Sequence, residues 1–150
     1  MNELPRDFYD LLIKDARSQG ITRYVIGAVI KRNYSVLLLQ RPKADFMGGI
    51  YELPGGEAEK DETLQGTVIR EVKEETGLKV NKITRYLGHF DYPSKSGNTT
   101  RQFNFEVSVE DELEVILHEH DNYAWAEQQK IQNYNMTESV RKVLSAFWQQ

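Results

Sequence analysis

Residues 55–78 read GGEAEKDETLQGTVIREVKEETGL, and the rest of the chain can be arranged around them. Two glycines follow Leu53-Pro54, where Pro54 ends a short expected strand over 50–53. Gly55 and Gly56 are expected to take backbone angles closed to other residues. An acidic loop follows, from Glu57 to Glu62. Asp61 then reads as a helix N-cap, with Glu62 in the first turn, where the helix dipole favours a negative charge. The helix is predicted to run to Thr76, with Gly77 as its stop. On it, Glu71, Glu74 and Glu75 stand at i, i+3 and i+4, within an arc of roughly 100°. Val68, Ile69, Val72 and Thr76 form an apolar stripe beside that arc, suited to a buried face. Gly66 weakens the helix by about 1 kcal/mol relative to alanine, which tertiary packing is expected to override.

Three carboxylates on one face repel one another, and Arg70 alone cannot neutralise them. A solvated acidic face is the ordinary meaning of such a trio. Beside an apolar stripe and behind a glycine-proline loop, the trio is better explained as a holder of divalent cations. All-oxygen ligands suit Mg²⁺ or Mn²⁺ rather than Zn²⁺.

Composition sets wide limits. The chain has 150 residues, long enough for one domain with a real core. Its 39% hydrophobic and 28% charged residues match an ordinary globular domain. A net charge of −4 without a basic run disfavours a nucleic-acid polymer as partner. The absence of cysteine excludes disulfides, thiolate metal sites and a cysteine nucleophile. Glu3 and Asp7 come early and the longest apolar run there is Leu11-Leu12-Ile13, so neither a secretory signal nor a membrane span is expected. Cytoplasmic residence is the resulting expectation.

Outward from the central stretch, residues 5–18 carry Phe8, Leu11, Leu12 and Ala16 at helical spacing, with Gly20 as a stop. This predicts an N-terminal helix docked on the domain or on a second subunit of a homodimer. Residues 24–30 and 36–39 are β-branched or apolar runs of strand length, joined by a turn in which Asn33 can turn left-handed. Their continuity implies a sheet covered on both faces. Residues 83–92 and 101–109 form an expected hairpin about Gly97-Asn98, with Phe103, Phe105, Val107 and Val109 on its inward face. The acidic stretch from Glu110 to Asp121 includes Asp111, Glu112 and Glu114, and then His118 and His120. The histidine pair lacks a convergent third ligand and reads weakly as a transition-metal site. A last strand over 123–126 precedes a helix capped by Thr137, with Val140, Val143, Leu144, Phe147 and Trp148 on one stripe.

The spacing Gly56, five residues, Glu62, seven residues, then Arg70-Glu71-Val72-Lys73-Glu74-Glu75-Thr76-Gly77-Leu78 resembles the signature of the Nudix hydrolases at every fixed position. Seven fixed types at typical usage make a chance match about one in a million. The resemblance implies an α/β fold, a mixed sheet sandwiched between helices, with residues 1–20 as an N-terminal helical extension and 21–150 as the Nudix domain. It implies Mg²⁺-dependent hydrolysis (with Mn²⁺ as a substitute) of a nucleoside diphosphate linked to another group. The Gly55 carbonyl, Glu71, Glu74, Glu75 and Glu119 would hold metal, Glu119 matching a late acidic residue six positions before Trp125. Glu71 would be the general base, with Arg70 and Glu74 beside it in the catalytic set. Arg41, Gly56 and Thr137 would meet a small-molecule nucleotide, Thr137 standing where MutT-like members carry a base-reading asparagine and Asn135 lies close by. A nucleoside triphosphate ranks first as substrate, on the chain's small size, Arg41 and Glu119. ADP-ribose or a nucleotide sugar ranks second, and a catalytically silent ligand sensor is the alternative of another class.

Overall fold

The computed structural model describes residues 2–110 and 114–149, so Asp111 and Glu112 of the acidic stretch lie outside the described residues. A mixed sheet forms the middle layer: β1 (Arg23–Arg32), β2 (Ser35–Gln40), β3 (Tyr51–Glu52), β4 (Gly55–Glu57), β5 (Val80–Pro93), β6 (Thr99–Val109) and β7 (Asn122–Ala126). Its main path runs β3-β2-β1-β6-β5, with β4 on β1 and β7 on β2. β1 and β6 run parallel from Arg23↔Thr100 to Lys31↔Ser108. β1 and β2 stay in register only at Lys31↔Val36 and Arg32↔Ser35, about the turn where Asn33 has φ 58°. β4 takes up the edge that β1 leaves, pairing Gly55 with Gly27 and Gly56 with Ile26.

The period of two in a strand assigns the two cores. Ile26, Ala28 and Ile30 of β1, with Leu37 and Leu39 of β2, face α1 (Arg6–Ser18) and α2 (Leu64–Thr76). Val29, Val36 and Leu38 face the opposite way, onto Val140, Val143, Leu144 and Phe147 of α3 (Glu138–Trp148). Each fully buried aliphatic side chain contributes roughly 1.5–3 kcal/mol. The expected helix–sheet–helix layering is therefore present.

Several local expectations change. α1 buries Tyr9 and Ala16, while Leu11 is 62% exposed. Tyr9 lies 5.5 Å from Phe105 and Phe8 lies 5.4 Å from Tyr86, centroid to centroid, so the helix docks on its own sheet. Arg101, buried on β6, knits that junction by reaching Gln19 Oε1 at 2.6 Å, Asp15 at 3.5 Å and both oxygens of Asp91. β6 lies between β1 and β5, so Asn104 and Glu106 are as buried as Phe103 and Phe105. Trp125 sits within β7, opposite Leu37. A 3₁₀ turn over Gln128–Asn133 leads to α3, which Thr137 caps as expected, its hydroxyl oxygen accepting from Val140 N.

Candidate active site

The α2 N-terminus is set by Thr63, not Asp61. Thr63 Oγ1 accepts from Gly66 N at 2.9 Å, while Asp61 lies outside the helix with φ 64°. Glu62 therefore precedes the helix and turns inward. Its carboxylate accepts from Arg70 Nε at 2.7 Å and Nη2 at 2.8 Å, from Thr67 Oγ1 at 2.8 Å and from Glu59 N at 3.0 Å. The Arg70 hydrogen bonds hold the Glu62 carboxyl down to a pKa of about 2. Arg70 also reaches Glu71 at 2.8 Å, Glu74 at 3.2 Å and the Glu57 carbonyl at 3.0 Å. Burial raises the Glu71 carboxyl above its ordinary value against the pull of Arg70.

Gly55 and Gly56 are glycines for want of space rather than for backbone angle, since neither has positive φ. A Cβ on Gly55 would strike the Ile26 carbonyl across the β1–β4 pair, and one on Gly56 would strike the Glu71 carboxylate. The bare backbone is what lets Glu71 lie flat over β4.

Glu75, on the next turn, accepts from Gly55 N at 2.7 Å. Burial pushes its carboxyl up to about 7. Across from it stands His120, whose Nδ1 is buried without a hydrogen-bond partner, 3.7 Å from Glu75 Oε2. The other ring nitrogen, Nε2, lies 2.7 Å from Glu52, and Glu52 in turn holds Arg41 at 3.3 Å. Burial opposes a charge on His120, but the Glu52 hydrogen bond and the two neighbouring carboxylates together raise its pKa. His118 does not join His120. It lines an acidic recess of about 490 Å³ with Glu71, Glu74, Glu75 and Glu119.

These recesses form one groove. Glu75 and Glu119 are shared with a second hollow, of about 250 Å³, that also takes in Gly55, Arg41 and Glu52. Arg41 and Glu52 are shared in turn with an apolar cleft of about 400 Å³, walled by residues such as Phe46, Tyr51, Leu53, Phe90 and Val140. Thr137 stands on this apolar wall, whereas Asn135 gives its carbonyl to Tyr51 N at 2.7 Å.

Glu71, Glu74, Glu75 and Glu119 are thus brought to one recess, with Gly55 and Arg41 next to it and Thr137 at the far end. Among the described residues no three acidic or histidine side chains converge closely enough to hold an ion as they stand, because Arg70 and Gly55 N occupy them. The donor set still fits a hard cation. It is all oxygen, it has more carboxylates than nearby cations, and it includes a carboxyl that burial drives toward neutrality despite His120 beside it. Sequence reasoning missed Glu52 and His120 as site residues. Glu52 carries no signal in the sequence beyond its place before Leu53-Pro54, and His120 stands out there only as half of a histidine pair.

The chain belongs to the Nudix hydrolase family: a NUDIX domain model matches residues 21–147. Members of the family act on nucleoside diphosphate derivatives and use divalent metal ions. The chain is similar to a CTP pyrophosphohydrolase of Escherichia coli (strain K12), 27% identical over 125 residues that cover 82% of this chain and 89% of that one. It is 38% identical over 58 residues to an 8-oxo-dGTP diphosphatase of Proteus vulgaris, a match that spans 39% of this chain and 52%, about half, of that enzyme. Among solved structures, that of the E. coli ORF135 protein superposes with a TM-score of 0.73 at 25% identity, covering 87% of this chain and 91% of that one.

Proposed function

We propose that this chain hydrolyses a nucleoside triphosphate to a nucleoside monophosphate and pyrophosphate, with Mg²⁺ as the ion and Mn²⁺ as a substitute. The observation that supports this best is the continuity of the groove from an aromatic-walled cleft, through Arg41 and Glu52, to the carboxylates of α2. A nucleoside fits the first part, and its phosphates then extend toward the second.

Glu74 and Glu75, with Glu119 and the Gly55 carbonyl, are the groups that would hold the ion. A bound divalent ion neutralises phosphate charge and lowers the pKa of an attacking water. Glu71, half-buried over Gly56 and aimed by Arg70, takes the proton of that water on a carboxylate oxygen. Arg70, pinned by Glu62, holds the acidic face in one geometry. Arg41 lines both the apolar cleft and the hollow beside Gly55 and is placed to meet the phosphate chain, Gly56 gives the Glu71 carboxylate its room, and Thr137 meets the base from the cleft wall.

Products decide between readings. Pyrophosphate released from triphosphates with Mg²⁺ is expected. AMP from ADP-ribose with no pyrophosphate from any triphosphate would shift the substrate to a nucleotide sugar, and binding without turnover would leave a ligand sensor. Glu74→Gln and Glu75→Gln are expected to lower turnover by orders of magnitude with an unchanged melting temperature, and undiminished activity in both would remove the metal assignment.

A further inference from the structure

The apolar cleft contains an amide whose orientation is fixed from behind. Asn104 on β6 is fully buried, and its Nδ2 donates to the carbonyls of Gly88 at 3.1 Å and Gln102 at 3.3 Å. Both partners can only accept, so the nitrogen of the Asn104 amide must face them. Its Oδ1 is left facing Gln102 and needs a donor, which Gln102 Nε2 supplies at 2.9 Å. The carbonyl edge of the Gln102 amide is thereby turned away from Asn104. Gln102 is the register partner of Phe90, shares its face of the sheet toward α3, and lines the cleft with it.

Gly27 makes the pair possible. A Cβ there would collide with Asn104 Oδ1 and Gln102 Nε2, so the two amides lie against the bare backbone of β1. The other acceptors on the cleft wall are committed or adjustable. Glu52 is held by Arg41 and His120, and Asp91 by Arg101. The hydroxyls of Ser139 and the tyrosines can rotate to donate or accept, and that of Thr137 already accepts from Val140 N. Among the described side chains of the cleft, Gln102 Oε1 is the neutral acceptor whose direction is set and which has no partner within the chain.

We infer that Gln102 determines base specificity by offering this oxygen to an exocyclic amino group, so that cytosine is preferred to uracil and adenine to hypoxanthine. The inference rests on the reading that the cleft takes the nucleoside. A keto oxygen in place of the amino group would set two acceptors against each other in a desolvated cleft, a mismatch that lowers affinity by about tenfold or more.

The test is equilibrium binding of CMP and UMP to the whole protein by calorimetry, beside the kcat/KM of CTP and UTP. The expected result is a preference for CMP of about tenfold, reduced to near parity in Gln102→Met by loss on the CMP side. A pyrimidine nucleotide lacking the 4-amino group serves as the deletion on the ligand side and is expected to bind the unaltered protein as weakly as UMP. Equal binding of CMP and UMP, no measurable binding of either, or a loss in Gln102→Met that is uniform across both bases would overturn the assignment. Pyrophosphate release is scored separately, so that absence of turnover removes the hydrolytic reading while the binding ratio still decides on Gln102.

Discussion

Arg70 and Glu106 each gather several opposite charges, with opposite balance. At Arg70 one guanidinium meets the carboxylates of Glu59, Glu62, Glu71 and Glu74 beside an open groove. At Glu106 one fully buried carboxylate meets Lys31 at 3.3 Å, Arg85 at 3.4 Å and the Thr84 hydroxyl at 2.6 Å. Arg85 continues to the Phe147 carbonyl at 2.8 Å, at the end of α3 where a cation is favoured. The second cluster centres on a carboxylate buried in the sheet, with its two cations reaching the surface, and it ties sheet to helix. The first has four carboxylates to one guanidinium and faces solvent, which suits the cation proposed for it. The sign of the surplus charge, rather than the presence of ion pairs, separates the proposed cation site from a strut.

The largest expected effect breaks the first cluster without unfolding it. Glu71→Gln should lower kcat by about 10²–10⁴-fold, as loss of a general base does, with a melting temperature close to that of the parent. A kcat within a few-fold of the parent would deny Glu71 that role. Glu106→Leu is the converse case. Removing the carboxylate leaves Lys31 and Arg85 only partly exposed and strips the Thr84 hydroxyl of its acceptor, and denaturant unfolding should show a loss of about 1–3 kcal/mol. The kcat of the folded fraction should stay unchanged, and a drop comparable to that of Glu71→Gln would mean that the clusters are not separable.

Acid titration distinguishes Glu62 of the first cluster from Glu75 beside it. The Glu62 carboxyl is held at about 2 in the folded chain, against an ordinary value of 4.5. The folded state therefore binds fewer protons than the unfolded one between those values, and the stabilisation is present above pH 4.5 and lost as pH falls toward 2. Glu75, raised to about 7, has the opposite sign: the stability it lends is present below 4.5 and fades as pH rises to about 7. Glu62→Gln should flatten the acid limb of a stability–pH curve, and an unchanged limb would separate the shift from the Arg70 contact. The smallest effect is at the helix start, where Thr63→Ala should cost about 1 kcal/mol and Asp61→Ala distinctly less.

Most strands were legible because β-branched runs in β1, β2 and the β5–β6 hairpin announce themselves, and Thr137 stands directly before an amphipathic run. What stayed hidden depends on neighbours distant in sequence. Asp61 and Thr63 are both good caps, and the choice falls to Thr63 because Arg70, a full turn and more away, draws Glu62 inward. Gly55 and Gly56 look like turn residues until β4 is seen lying against β1 and beneath Glu71. The alternation of Phe103, Phe105 and Val107 gives no sign that Glu106 between them is buried too, because nothing local reveals that β6 is flanked on both edges and covered on both faces. The carboxylates of α2 were recoverable from helical spacing alone, whereas His120 and Glu52 meet only once β3 and the segment before β7 are folded together.

The reach of Arg101 to Asp15 and Gln19 has a practical consequence for anyone shortening the polypeptide to the family boundary at residue 21. Such a fragment would keep every residue of the signature, yet it would strip one wall from a guanidinium that is now 2% exposed and leave Phe105 and Tyr86 bare to water. Poor expression or clumping of that fragment would then reflect an uncovered sheet and would carry no information about the chemistry of the groove.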